Sequence, residues 1–295
     1  MNSMIKGHLL AFITVLFWGT TFISTKVLLN SFSPVEILVF RFILGFAALW
    51  AAYPHKMAFK REREIYFAAA GLSGVTLYYL LENIALVYST ACNVGVIVSV
   101  APFFTAQLSY MVDGGEKPSN GFYIGFIFAM AGIAMISFDG AASMQINPVG
   151  DLLALLAAAV WAVYSVIIKR VNAFDCSGIA ATRRIFFYGL MFMVPLSFPL
   201  GFKWQLSRFA SPLNSLNILF LGIIACAACF ASWNYAIKLL GAVKTSVYIY
   251  LVPVVTVISS VIILKERLTP VSALGTVLTL LGLLLSQKHE KLKQQ

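Results

Sequence analysis

The chain repeats itself. At an offset of 143 residues the second half lays Gly150-Asp151-Leu152-Leu153-Ala154 on Gly7-His8-Leu9-Leu10-Ala11, Trp161 on Trp18, Lys169 on Lys26 and Arg184 on Arg41. Farther along, the offset drifts as loops of unequal length require: 151 for Asn83-x-Ala85 on Asn234-x-Ala236 and for Pro102 on Pro253, and 150 for Glu116 on Glu266. Whatever one half folds into, the other half must fold into as well, and the two must share one core. In a membrane chain such duplication is the mark of a transporter with its binding site between the copies.

The membrane follows from composition. Sixty per cent of the 295 residues are apolar and only 11% are charged, against roughly 45–50% and about 25% in a soluble domain. The apolar residues gather into ten runs, about 7–29, 34–53, 65–87, 91–112, 119–138, 149–169, 177–200, 215–237, 243–264 and 268–287. Each is long enough to cross roughly 30 Å of hydrocarbon as a helix. The expected fold is an all-α integral membrane protein of ten transmembrane helices. The first run is too long for the core of a secretion signal and should remain a helix.

A net charge of +10 would suggest nucleic acid in a soluble chain, but its distribution argues for topology instead. With the N-terminus in the cytoplasm, thirteen basic residues fall inside (Lys6, Lys56, Lys60, Arg61, Arg63, Lys117, Lys169, Arg170, Lys238, Lys244, Lys288, Lys291, Lys293) and five outside (Lys26, Lys203, Arg208, Lys265, Arg267). This is the positive-inside bias, and it predicts that both termini are cytoplasmic. No nucleic-acid partner is expected.

Enzyme chemistry finds no support. The histidines (His8, His55, His289) are scattered, and no Ser–His–Asp set, ATP-binding loop or cofactor motif is present. Cys226-Ala-Ala-Cys229 has zinc-like spacing but lies in an apolar run without a second ligand pair, so packing is the better reading. Neither a metal nor a cofactor is expected.

Each copy, 7–138 and 149–287, holds five runs, an odd number. Equivalent helices therefore cross in opposite directions, and the copies should be inverted repeats related by an axis in the membrane plane. Loops of under about a dozen residues leave no room for a soluble domain. The ordered series Trp18-Gly19, Arg41-Phe42, Asn83-Ile84-Ala85-Leu86, Pro102, Glu116 and Gly125 to Gly132, answered by Trp161-Ala162, Arg184, Asn234-Tyr235-Ala236, Pro253, Glu266-Arg267-Leu268 and Gly275 to Gly282, resembles the drug/metabolite transporter superfamily, in its ten-helix branch with two EamA-type repeats. The resemblance covers about 7–287. It implies export or exchange of small metabolites, amino acids prominent among them, across a bacterial inner membrane.

The candidate residues are those at matched or costly positions. Pro102 and Pro253 fall near the middle of equivalent helices and each frees a backbone carbonyl, that of Val98 or Ile249, so they are expected to line a cavity or form a hinge. Trp161, Tyr164 and Ser165 share one helical stripe, as do Trp18, Thr21 and Phe22, and inversion would set the two stripes face to face. Tyr78 lies one turn from Glu82, Tyr79 one turn from Asn83, and Ser246 one turn from Tyr250 beside Tyr248. Tyr and Trp combine apolar area with one polar handle, which suits amphipathic solutes, although they also pack cores.

Of the charges within the spans, Arg41, Glu82 and Arg184 stand out, with Arg183 beside Arg184. Each is a functional candidate because burial in hydrocarbon is costly. Glu82 has no acidic twin, since Trp233 stands at its equivalent position. It could pair with Arg41, bind a substrate ammonium group or carry a coupled proton. Arg184 could meet a substrate carboxylate or helix-end carbonyls.

The expected protein is thus a secondary transporter of a small organic metabolite, working by alternating access, without ATP. A lipid or headgroup flippase on the same scaffold, or a non-transporting sensor or assembly subunit, are the alternatives. Its expected partners are the bilayer and the solute, with a coupled proton as a further candidate, and both monomer and homodimer fit the sequence.

Overall fold

The computed structural model describes residues 3–89, 91–113, 117–138, 147–263 and 269–288. Glu116, Glu266 and the charged turns around them, with His289, Lys291 and Lys293, lie outside the described residues, as do the side chains of Phe22, Lys26 and Cys92. Among the described residues, ten helices are long and apolar enough to span a membrane: α1 (Ser3–Thr25), α2 (Pro34–Ala52), α3 (Arg61–Ala85), α4 (Val94–Val112), α5 (Asn120–Ser137), α6 (Pro148–Val171), α7 (Gly178–Ser197), α8 (Pro212–Leu240), α9 (Ala242–Ser259) and α10 (Pro270–Gln287). No strand occurs among the described residues. Helices are the natural outcome because hydrocarbon offers no partner for backbone N–H and C=O groups, and a helix satisfies them within itself.

Helix ends are set by local chemistry. Ser33 and Glu36 form a capping box at the start of α2, each side chain accepting from the other's backbone N–H, with Pro34 at the first turn. The Asn147 side chain accepts from the N–H groups of Val149 and Gly150 at the start of α6. Helix α8 is longer than the 215–237 run, because Pro212 opens it and Gly241 closes it. Gly241 has φ +85° and is the only residue between α8 and α9, a left-handed corner that a side chain would strain.

The most extensive contacts between helices keep their pattern when the two halves are exchanged. Helix α1 packs on α8 and α9, and its counterpart α6 packs on α3 and α4; α2 packs on α8, and α7 on α3. The pairs α2–α7, α4–α9 and α5–α10 join equivalent helices directly. Helices α5 and α10 approach each other closely. A Cβ on Gly125 would lie 2.5 Å from the carbonyl oxygen of Gly282, and one on Gly132 2.4 Å from that of Gly275. Without a hydrophobic drive between helices in lipid, such small-residue contacts let van der Waals packing hold the bundle. Phe12, Ile13, Leu16 and Phe17 on α1, and Leu274, Val277 and Leu281 on α10, remain exposed as a lipid-facing surface.

Candidate functional site

Two equivalent helices carry the same irregularity. Leu72–Leu77 in α3 and Phe220–Ala228 in α8 are wound as π-helix, and the 151-residue offset lays the first within the second. Widening the turn shifts the hydrogen-bond register and exposes carbonyls to other partners, a feature frequent at functional sites. The indole N–H of Trp18 donates to the carbonyl of Ala225 inside the α8 segment at 3.0 Å. The Thr76 hydroxyl, in the α3 segment, donates to the carbonyl of Gly189 on α7 at 2.9 Å. Gly74 lies so near the Tyr164 ring that a Cβ there would sit 2.3 Å from it.

Between these segments the aromatic side chains converge. Trp18 and Trp161 meet edge-on with ring centroids 5.8 Å apart, Trp18 lies 5.0 Å from Trp233, and Tyr78 lies 4.9 Å from Trp161. Tyr164 stacks 5.1 Å from Trp161, and Phe230 touches Trp18, Trp161 and Tyr164. At these separations the rings themselves fill the centre of the bundle. Trp18, Tyr78, Tyr79, Glu82 and Asn83 are half-buried, whereas Trp161, Trp233, Tyr164 and Phe230 are buried beneath them.

The charges do not form the direct ion pair that was one expectation. Glu82 accepts the Tyr78 hydroxyl at 3.3 Å, while Arg41 donates from Nε to the Cys226 sulfur at 3.0 Å and lies 5.2 Å from the centre of the Tyr79 ring. Their separation follows from the packing: α2 lies against the π segment of α8, which takes Arg41, and Glu82 sits with Tyr78 against Trp161. Cys226 and Cys229 are buried, and among the described residues no three His, Cys, Asp or Glu side chains are grouped to hold a metal.

Other candidates lie elsewhere. Tyr164 donates its hydroxyl to the Asn234 side chain at 2.7 Å, and Asn234 donates to Thr182 at 3.1 Å, a buried network tying α6, α7 and α8. Tyr248 meets His8 at 2.8 Å on α1, and Tyr250 is fully buried. Arg184 meets an acid that its own span does not supply: Glu64 at the start of α3, which also accepts the Tyr188 hydroxyl. The two prolines mark the interruptions predicted at equivalent places, but the breaks precede them. Helix α4 opens into a turn at Ser99 and Val100 just before Pro102, and α9 tightens to 3-10 geometry over Val247–Tyr250 before Pro253.

Two buried indole nitrogens of this cluster, Nε1 of Trp161 and Nε1 of Trp233, have no hydrogen-bond partner among the described residues, and the same holds for the buried hydroxyl of Tyr250 on α9. An orphaned donor in a dry interior is costly, so a group that accepts from these indoles would be held well. Trp233, Phe230 and Cys226 had no place among the candidates. The signal was available for Trp233, which occupies the position equivalent to Glu82.

Comparison with known proteins is consistent over the whole chain. The profile of the EamA-like transporter family matches twice, over residues 5–138 and 148–287. The chain belongs to the EamA-like transporter family. Relatives include a protein of Archaeoglobus fulgidus named "Uncharacterized transporter", 29% identical with 97% of this chain and 98% of that one covered. Another is a "Probable terminal-alkyne amino-acid exporter" of Streptantibioticus cattleyicolor, 26% identical with 94% and 92% covered. A solved crystal structure superposes with a TM-score of 0.80 over 98% of this chain and 99% of that one; at 18% identity it shows the shared fold alone. The protein is a multi-pass membrane transporter of the EamA type, not an enzyme.

Proposed function

We propose that this transporter exports or exchanges a small zwitterionic or amine-bearing metabolite of the amino-acid class. Its site is the cluster of Trp18, Tyr78, Tyr79, Glu82, Asn83 and Trp161, with Tyr164 packed on Trp161, and Tyr248 and Tyr250 on α9 as further candidates. The observation that carries this reading is the meeting of one carboxylate with orphaned indole donors: Glu82 lies one hydrogen bond from Tyr78, whose ring packs on Trp161, and Nε1 of Trp161 is unsatisfied. Such a site offers an acceptor for an ammonium group, a donor for a carboxylate and ring faces for the side chain. The amino-acid exporter among the relatives supports the substrate class.

Alternating access would come from two inverted repeats, 7–138 and 149–287, rocking about the centre. The close α5–α10 contact supports the inversion. It pairs Gly125 with Gly282 and Gly132 with Gly275, so numbering rises along one helix as it falls along the other. With the breaks before Pro102 and Pro253 as hinges, the filled centre corresponds to a closed state. The distribution of basic residues supports cytoplasmic termini in a bacterial plasma membrane. Glu82 would either hold the substrate ammonium or carry a coupled proton.

The test is counterflow in proteoliposomes with amino acids, nucleosides and cationic drugs, with and without a pH gradient. Amino acids or amines are expected to exchange, and Glu82→Gln to lower exchange about tenfold or more, the value of a charged hydrogen bond. Unchanged exchange and pH dependence in Glu82→Gln would refute the assignment of that residue. Failure of every solute would refute the metabolite reading and leave a lipid-linked substrate.

A further inference from the structure

One open cleft lies away from the aromatic centre. It has a volume of about 320 Å³ and lies between α2 and α7, where α2 ends and α7 begins. Two walls meet there. From α2 and the segment after it come Phe46, Trp50 and Lys56; from α7 come Arg183, Arg184 and Phe187. No acidic side chain lines it.

The charges in this cleft are unequal in status. Arg184 is neutralised by Glu64 at 2.8 Å. Arg183 donates only to neutral carbonyls, those of Tyr53 and His55, so its charge is held in place but not cancelled. Lys56 is exposed. The cleft therefore presents two uncompensated cations, one of them buried and fixed, with the Arg183 guanidinium 5.9 Å from the Trp50 ring centre.

Polarity is ordered along both walls. On α2 the sequence runs from apolar Phe46 and Trp50 toward Lys56 beyond the helix end, and on α7 from Arg183 and Arg184 one turn inward to Phe187. Trp50 is 47% exposed and Phe187 44% exposed on the face that meets lipid. A soluble anion has no use for that apolar side; an amphiphile with its anionic end outward matches both. The cleft, about 320 Å³, has room for a headgroup but not for acyl chains as well, which would lie along the exposed rings. Basic pockets between spanning helices at the membrane surface take anionic headgroups.

We propose that the α2–α7 cleft is a binding site for one anionic diacyl phospholipid, its headgroup held by Lys56 and Arg183 and its chains lying on Trp50 and Phe187. The site is separate from the aromatic centre and does not depend on the transport reading. Because α2 and α7 are equivalent helices in direct contact, a lipid there would bridge the two halves.

The test uses purified full-length protein and quenching of tryptophan fluorescence by phosphatidylglycerol or phosphatidylcholine carrying brominated chains. Phosphatidylglycerol is expected to quench at about thirtyfold lower concentration than phosphatidylcholine, the value of two cations at about 1 kcal/mol each, and Trp50→Phe to abolish that difference. Lys56→Gln, which alters only an exposed side chain, is expected to weaken the preference about fivefold, and Lys56→Gln with Arg183→Gln about thirtyfold. Equal quenching by the two lipids, a preference that survives Trp50→Phe, or one unchanged in Lys56→Gln would overturn the proposal. Competition by chainless glycerol phosphate as strong as that of the lipid would replace the lipid with a water-soluble anion.

Discussion

Trp18 and Trp161 occupy equivalent positions and meet face to edge, yet Trp18→Phe and Trp161→Phe are expected to behave differently. Trp18 Nε1 donates to the Ala225 carbonyl at 3.0 Å, and that carbonyl lies in a π-helical stretch. Trp161 Nε1 is buried without a partner. Both changes shrink an indole to a phenyl ring among similar neighbours, so their packing losses largely cancel in comparison. What remains is one interhelical hydrogen bond, about 0.6–1.7 kcal/mol in a membrane bundle. Trp18→Phe should therefore lower the folding equilibrium about threefold to twentyfold more than Trp161→Phe. Reversible unfolding in mixed micelles of increasing SDS content, followed by circular dichroism, measures the difference. Transport should rank the other way: if the orphaned indole awaits the substrate, Trp161→Phe should raise KM while Trp18→Phe acts mainly through stability. Equal destabilisation by the two, or a larger loss in Trp161→Phe, would refute the reasoning.

Further outcomes follow from the packing and the polar networks. Gly132→Val should prevent stable α5–α10 association, because a Cβ there meets the Gly275 carbonyl oxygen at 2.4 Å, whereas Gly178→Ala, with nothing within 4 Å, should stay within about 0.5 kcal/mol of the parent; yield of monodisperse protein compares them. Asn234→Leu should cost about 1–3 kcal/mol by stranding the Tyr164 hydroxyl, while Thr182 keeps its bond to the Gly178 carbonyl, and a double-mutant cycle with Tyr164→Phe should return a coupling of about 0.6–1.7 kcal/mol. Cys176 lies in the turn between α6 and α7, and burial pushes its thiol above the ordinary range against the pull of Arg63 and Lys238. Little thiolate is then present at neutral pH, so maleimide should label it more slowly than a free thiol, faster as pH rises, and should leave the buried Cys226 and Cys229 untouched until unfolding; mass spectrometry of the alkylated peptides decides.

The helices were legible in the sequence because the bilayer imposes a local rule: a run of about 20 apolar residues must satisfy its own backbone. The interruptions before Pro102 and Pro253 were legible for a similar reason, since proline acts on its own helix. The π segments were not, because no residue type marks them; the small residues around Gly71, Gly74 and Gly222 suit close approach and ordinary helix equally well. Nor could spacing tell which of the aromatic residues would meet. It placed Tyr78 and Glu82 on one face, and they do share a hydrogen bond, but it set Tyr248 beside Tyr250 when Tyr248 turns to His8 and Tyr250 is buried.

The sequence by itself determined the number of spans, the duplication and the membrane setting, since each depends on composition and order along the chain. The tertiary structure decided the partners of the charges. Arg41 goes to Cys226 across 185 positions and Arg184 to Glu64 across 120, because a charge in a low-dielectric interior takes the nearest polar group that packing brings to it. Which group comes near is fixed by helix faces turned together at glycines and π turns, and that information lies in the fit between helices rather than in any one of them.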